Sequence, residues 1–88
     1  MATEILSIAS AAATSSDFTC DGLTLVFLKA NGNVPAGCQV DLKVKTSAGG
    51  YVYVATFDAQ HPSGVPAAGT YQMVRIDTGE AVGAEKAA

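Results

Sequence analysis

The feature that most constrains this chain is a near-ideal alternation of apolar and polar side chains over residues 39–45. Val40, Leu42 and Val44 occupy alternate positions, and the positions between them are polar or charged. Because successive side chains of a β-strand point to opposite faces, this pattern predicts a strand with one face on a core and the other in water. Cys38 belongs to the inward set, so it too is predicted to be a core residue.

A turn and a second strand are predicted to follow. Residues 46–50 are small and end in Gly49 and Gly50, which adopt the positive φ angles of hairpin turns without steric cost. The segment Asp41–Phe57 is therefore predicted to be a β-hairpin. In its second strand, residues 51–58, strict alternation would place Tyr51, Tyr53, Ala55 and Phe57 on one face and Val52, Val54 and Thr56 on the other.

Upstream of the hairpin, residues 23–30 predict a strand that is apolar on both faces. A strand of this kind is typical of the centre of a sheet, or of a surface that a neighbouring subunit covers. Turn-forming residues precede and follow it, at 21–22 and 31–33. Its two faces would carry Leu23, Leu25 and Phe27 on one side and Val26 and Leu28 on the other.

The remaining segments predict short strands separated by turns and one loop. Strands are expected over Asp17–Cys20 and Thr70–Asp77, and Ala81–Glu85 is expected to return as a short edge strand. Residues 60–68 contain two prolines and predict a loop. Near the N-terminus, a short strand followed by a linker of small residues is expected, with apolar side chains at Ile5, Leu6 and Ile8.

These elements predict an all-β fold of six to seven short strands, either a small antiparallel β-sandwich of the immunoglobulin-like kind or a partly open barrel. One domain is expected over residues 17–85, preceded by an N-terminal strand or arm and linker at 1–16 and followed by a loose tail at 86–88. Gly69 stands two residues before Tyr71 at the start of a strand; this spacing resembles a tyrosine corner, and a plain core aromatic after a turn fits the pattern at least as well.

Composition narrows the possible partners. Charged residues make up 15% of the chain, below the roughly 25% of an average soluble domain. Either a partner covers part of the surface, or small polar residues replace charges there. The net charge is −3 and the five Lys and Arg residues never cluster, so we expect neither nucleic acid nor an anionic membrane as a partner. The most strongly apolar stretch, Leu23–Leu28, is far shorter than the ~20 residues of a membrane span.

The residue pattern predicts no enzyme, no cofactor and no metal site. His61 is the only histidine and stands beside a proline in a predicted loop, without the G-x-S-x-G motif of a nucleophile elbow. Cys20 and Cys38 are expected to be buried thiols, with a disulfide as the alternative, and two cysteines cannot complete a zinc site. The segments 21–22 and 31–33 are predicted to be turns, and neither matches the sequence of an EF-hand calcium loop.

Three segments together carry a resemblance to a known group of proteins. They are Ala12-Ala13-Thr14-Ser15-Ser16-Asp17-Phe18, the hairpin from Val40 to Tyr51, and Gly69-Thr70-Tyr71-Gln72-Met73-Val74-Arg75. This arrangement resembles small β-sandwich proteins encoded among the structural genes of tailed bacteriophages. Gln72 departs from the pattern, because those proteins often carry Arg at this position.

The resemblance implies a virion component that is made in the host cytoplasm and is present in many copies. The role it favours is decoration of the capsid or a place at the base of head fibres. The major capsid protein or other virion proteins would be the partners, and self-association into a homo-oligomer is expected. We expect the partner contacts to come from the N-terminal arm and from the doubly apolar strand, through Ile5, Leu6, Ile8, Val26 and Leu28.

Two other roles remain open at this point. One is an accessory protein of the tail, the fibres or the head–tail connector. The other is a module that binds glycans or host surfaces through the predicted loops Asn31–Gly37 and Gln60–Ala68.

Overall fold

The computed structural model describes residues 2–87. Within that range all of the helices and strands assigned are strands, and none is a helix. The nine strands are β1 (Ala2–Ala9), β2 (Ala13–Thr14), β3 (Phe18–Cys20), β4 (Val26–Lys29), β5 (Val40–Lys45), β6 (Tyr51–Phe57), β7 (Ser63–Gly64), β8 (Gly69–Arg75) and β9 (Val82–Ala87).

The chain runs as one long antiparallel ribbon that is folded over on itself. Its tip is the hairpin of β5 and β6, and successive pairs follow outward along the chain: β4 with β7, then β2 and β3 with β8, then β1 with β9. The folded ribbon forms a first sheet of order β1-β9-β4-β7 and a second of order β2-β8-β5-β6, with β3 also beside β8. If β2 and β3 are counted as one interrupted strand, this is the order of an eight-stranded jelly roll.

The predicted all-β sandwich is confirmed, but its strand order is not that of an immunoglobulin-like sandwich, and two predicted boundaries differ. β1 is paired with β9 from Ala2 to Ala9, so residues 2–9 belong to the first sheet and are not a free arm. β9 lies between β1 and β4 in the sheet centre rather than at an edge. Of the predicted tail, residues 86 and 87 belong to β9, and residue 88 lies outside the described residues.

The core lies between the two sheets and includes the inward residues predicted for the central hairpin. Both cysteines are buried in it as free thiols, as the sequence predicts. Of the two alternatives for Tyr71, the structure shows the tyrosine corner, because the Tyr71 hydroxyl donates a hydrogen bond of 2.7 Å to the Ala67 carbonyl. The buried apolar residues are Leu6, Cys20, Val26, Leu28, Cys38, Val40, Leu42, Phe57, Tyr71, Met73, Val82 and Ala84.

The strand predicted over residues 23–30 is shorter in the structure. Asp21 accepts hydrogen bonds from the Leu23 amide and the Thr24 hydroxyl, both at 2.8 Å, and this turn carries the chain from one sheet to the other. The Leu23 side chain is 88% exposed as a result. β4 therefore begins only at Val26, where one apolar face meets the core.

A β-bulge in β6 changes which side chains share a face. Leu42 pairs with Ala55, but Lys43 pairs with Tyr53, so Val54 is an extra residue on β6. Strict alternation placed Tyr53 on the same face as Ala55, which is wrong. Tyr53 lies opposite Lys43 on the outer face of the sheet. Between the bulge and the turn, each residue of β6 therefore faces the side opposite to the one that strict alternation from Ala55 predicts.

One charged side chain, Arg75, crosses the interior. It follows Tyr71 and Met73 on the inward face of β8, and only 4% of it is exposed. Its guanidinium donates hydrogen bonds to the carbonyl oxygens of Ser7 at 2.7 Å, Ala11 at 2.6 Å and Val82 at 2.9 Å. Arg75 thereby ties β8 of the second sheet to β1 and β9 of the first.

The contact with Ser7 depends on a close approach between β1 and β9. The register of this pair shifts between Leu6 and Ala9, so the chain arches over Gly83. A Cβ atom at Gly83 would lie 2.6 Å from the Leu6 carbonyl oxygen and 3.0 Å from the Ile8 nitrogen. Since real Cβ atoms do not approach backbone this closely, only glycine fits at this position.

We therefore expect Gly83→Ala to lower the free energy of unfolding by about 1–3 kcal/mol, the usual cost of overpacking a filled site. Urea denaturation measures the change. The matched control is Gly50→Ala, whose Cβ would be 3.8 Å from the Thr46 hydroxyl, an ordinary contact. Equal stability of the two variants would show that β1 does not pass over Gly83 as described.

Candidate functional site

Within residues 2–87 the two sheets have four edges, and three of these edges are irregular or protected. Natural sheets use bulges, prolines, charges and short strands to stop their edges from pairing with other chains. The edge formed by β2 and β3 is interrupted: the Ser15 hydroxyl accepts the Met73 amide at 2.9 Å, in place of a backbone carbonyl. This edge therefore offers no continuous row of backbone groups.

The two edges of the first sheet are protected in other ways. β1 carries two register shifts, and its Glu4 is held by Lys29 at 2.6 Å, which also contacts Glu85 at 3.3 Å. β7 has two residues and is flanked closely by Pro62 and Pro66. Neither edge presents a long, regular and uncharged strand.

β6 is the exception. Its seven residues, Tyr51–Phe57, include no charged residue, no proline and no glycine, and among residues 2–87 it pairs with β5 alone. Three successive side chains are about half exposed: Val52 at 52%, Tyr53 at 56% and Val54 at 48%. Apart from its one bulge, β6 has none of the devices that protect the other edges. It is a strand to which another strand could be added.

An apolar cleft adjoins this edge. It lies between β6 and the segment 64–67, has a volume of about 350 Å³, and reaches the buried side chains of Leu42, Phe57 and Tyr71. Val54 and Val65 stand at its wall, and Val65 is 56% exposed. We call β6 together with this cleft the β6 edge. Because β7 is so short, the sandwich is incompletely closed on this side.

The outer face of the second sheet carries a polar cluster near the turn of the hairpin. The Asp17 carboxylate accepts hydrogen bonds from the Tyr51 hydroxyl at 2.6 Å and from the Lys45 ammonium at 3.1 Å. These two hydrogen bonds hold the pKa of the Asp17 carboxyl below its ordinary value of 3.8, and the bond from Tyr51 has the larger effect. The same bond raises the pKa of Tyr51. The cluster fastens the outer strand β6 to the segment before β3.

A second group of hydrogen bonds fixes the other tyrosine of this face. The hydroxyl groups of Tyr53 and Thr56 lie 2.6 Å apart, and Thr56 donates to the Asp41 carboxylate at 3.0 Å. Gln39 donates to the same carboxylate at 3.2 Å. Two exposed side chains of β6, Tyr51 and Tyr53, are thus held by hydrogen bonds within the subunit.

The residues predicted to contact a partner do not form one surface. Leu6, Val26 and Leu28 are buried in the core, so the chain itself covers these apolar side chains. Ile5 and Ile8 are half-buried on β1. The partner-contact role predicted for these two residues stays a prediction.

The β6 edge is not among the surfaces predicted from the residue pattern, although the sequence contains a signal for it. Residues 51–57 combine β-branched and aromatic residues without a charge, which is the composition of segments that pair with other chains. The composition of residues 51–57 does not show that β6 lies at a sheet edge, because strand order depends on contacts between residues that are distant in sequence.

The other candidate groups lie apart from this edge. His61 is in a loop, with 79% of its side chain exposed and its Nδ1 3.7 Å from the Asp58 carboxylate. Burial raises the pKa of both thiols, Cys20 and Cys38, which disfavours the reactive thiolate. The described part of the chain contains no group of three or more His, Cys, Asp or Glu side chains placed to hold a metal ion.

The predicted glycan-binding loops meet at one end of the sandwich. Ala36 and Gly37 of the first loop and Gln60 of the second line a shallow cleft of about 310 Å³. No tyrosine or phenylalanine lines this cleft. Within residues 2–87, no helix has the length and apolar character to cross a membrane.

The chain matches no protein-family profile, and neither a curated protein nor a solved structure shows detectable similarity to it.

The polar cluster makes a prediction about pH. Because the pKa of Asp17 is lowered by folding, its carboxylate stabilises the protein at pH values above 3.8, and this contribution is lost as the pH falls through the lower pKa of the folded state. We expect Asp17→Asn to be less stable than the wild type at pH 7, with a difference that shrinks below pH 3.8. Urea denaturation between pH 7 and about pH 2 measures it.

The control is Glu80→Gln, which removes a carboxylate for which no hydrogen bond or ion pair is found in the described range. Its effect on stability at pH 7 should be small. A difference for Asp17→Asn that stays constant down to pH 2 would contradict the cluster.

Proposed function

We propose that this chain is a non-enzymatic structural protein of a tailed-phage virion, which decorates the capsid by docking on the lattice of the major capsid protein. The observation that carries the proposal is the β6 edge. A long, uncharged strand beside an open apolar cleft is a surface suited to be covered by another protein chain. A protein with such a surface is expected to function in an assembly and not as a free monomer.

Three further features support this role. The low charged fraction, 15%, fits a subunit that has part of its surface covered. The jelly-roll order recurs in viral capsid and lectin domains, which is an analogy at the level of the fold. The resemblance of the three sequence segments to phage structural proteins supplies the specific setting.

In this role the protein would work by adding contacts that only the assembled shell offers. A rigid sandwich that is bound to more than one neighbour holds those neighbours together, and many weak contacts over a lattice add up through multivalency. The hydrogen bonds that fix Tyr51 and Tyr53 reduce the ordering cost of each contact, since these two side chains are already held within the subunit.

The test is a titration of purified protein onto undecorated phage heads, followed by sedimentation of the heads. We expect binding that saturates at a stoichiometry set by the lattice, in hundreds of copies per head. Binding of only tens of copies would instead favour a tail or connector role. If no saturable binding occurs, the proposal fails.

A variant tests whether head binding depends on the β6 edge. Val52→Lys with Val54→Lys, the edge variant, places two charges on the exposed strand and should weaken head binding at least tenfold. The matched control is Leu23→Lys, which changes an 88% exposed leucine that is neither in β6 nor in the lining of the cleft, and it should bind as the wild type does. Circular dichroism and a thermal melt check that both variants fold.

A further inference from the structure

We infer that the β6 edge binds the β6 edge of a second copy of this chain, antiparallel and across a two-fold axis, so that the second sheets of two subunits join into one. The inference rests on the proposed function in taking this edge as the assembly surface; it names a second copy as the chain that covers the edge, so that the pair of copies is the unit that docks on the capsid lattice. A two-fold contact brings the same surface patch together from both subunits, so that patch must be complementary to itself.

The uncharged composition of β6 meets this requirement. When a strand pairs with its own copy, each charged residue near the axis would face a like charge, which is destabilising. Tyr51–Phe57 has no charge to repel its copy. It also has no proline, so every residue retains the amide that a new ladder would use.

Charges at the two ends of β6 determine the direction of pairing. The half of β6 toward the hairpin turn lies beside Lys43 and Lys45 of β5; Lys45 is paired with Asp17, so Lys43 supplies the net positive charge there. The other end lies beside Asp41 and is followed by Asp58, whose pKa is lowered by hydrogen bonds from the amides of His61 and Gln60. Antiparallel pairing sets the basic end of one copy next to the acidic end of the other, whereas parallel pairing would set like charges together.

The exposed apolar side chains favour the same arrangement. Val52 and Val54 are about half exposed, and Val65 beside the cleft is 56% exposed. With Val54, the middle residue of β6, near the axis, the partner's strand would lie along the mouth of the cleft and cover these valines. Burial of apolar area then stabilises the pair in addition to the backbone hydrogen bonds.

The first experiment is sedimentation velocity of the free protein over a range of concentrations. We expect a reversible dimer for the wild type and for Leu23→Lys. The edge variant should raise the dimer dissociation constant about 100-fold, because two lysines would lie in the centre of the contact. A wild type that stays monomeric up to millimolar concentration overturns the inference, as does an edge variant that dimerises as well as Leu23→Lys does.

The second experiment tests the geometry. Tyr53→Cys, Val54→Cys and Ala55→Cys, made separately, place a thiol near the proposed axis, where each copy's thiol lies close to its own counterpart. A short thiol cross-linker should join at least one of these variants into covalent dimers, while Leu23→Cys should give none. Cys20 and Cys38 are buried thiols present in every sample, so any cross-linking through them is the common background. Dimers that cross-link at Leu23→Cys but at none of the three edge positions overturn the two-fold pairing.

The outcomes separate this inference from the proposed function. Dimers that cross-link at the edge but do not bind heads support the inference and remove the capsid role. A chain that is monomeric in solution but loses head binding in the edge variant overturns the inference, because the edge then belongs to a strand of another virion protein. A monomer whose edge variant still binds heads also overturns it.

Discussion

The guanidinium of Arg75 holds the outermost part of the ribbon to the rest of the fold. From the inward face of β8 it reaches the carbonyl oxygens of Ser7, Ala11 and Val82, so one buried cation joins the two sheets at the side where the chain begins and ends. A buried cation is costly unless its donors are satisfied, and here the acceptors are backbone carbonyls rather than an acid. The arch of β1 over Gly83 accompanies this contact.

The opposite side of the sandwich has no equivalent closure. There the first sheet ends in β7, with two residues, and the second ends in β6, with seven. Their unequal lengths leave the cleft beside Val54 open to solvent. The molecule is therefore asymmetric: one side is tied by hydrogen bonds to Arg75, and the other presents an unprotected strand. This asymmetry underlies both the assembly role and the pairing of two copies.

Short-range patterns predicted part of this structure and could not predict the rest. Alternation over residues 39–45, the glycines of the turn and the spacing of Gly69 and Tyr71 are local signals; the hairpin follows from the first two, and the third gives the tyrosine corner as one of two alternatives. The residue pattern predicts that a strand begins at Leu23. In the structure the turn around Asp21 extends through Thr24, so Leu23 is exposed and the strand begins at Val26. The central place of β9 and the role of Arg75 arise from pairings between the two ends of the chain, such as Ala2 with Ala87, which no local pattern encodes.

The central claim is that β6 is covered by a second copy, and amide hydrogen exchange tests it most directly. Backbone amides at an open edge exchange with solvent, whereas those in a ladder are protected. Exchange should be followed by mass spectrometry for the peptide spanning residues 51–57, in dilute and concentrated protein, with residues 2–9 as the reference edge. The account predicts that exchange slows with concentration in residues 51–57 and stays constant in residues 2–9. Equal exchange of residues 51–57 at both concentrations would contradict it.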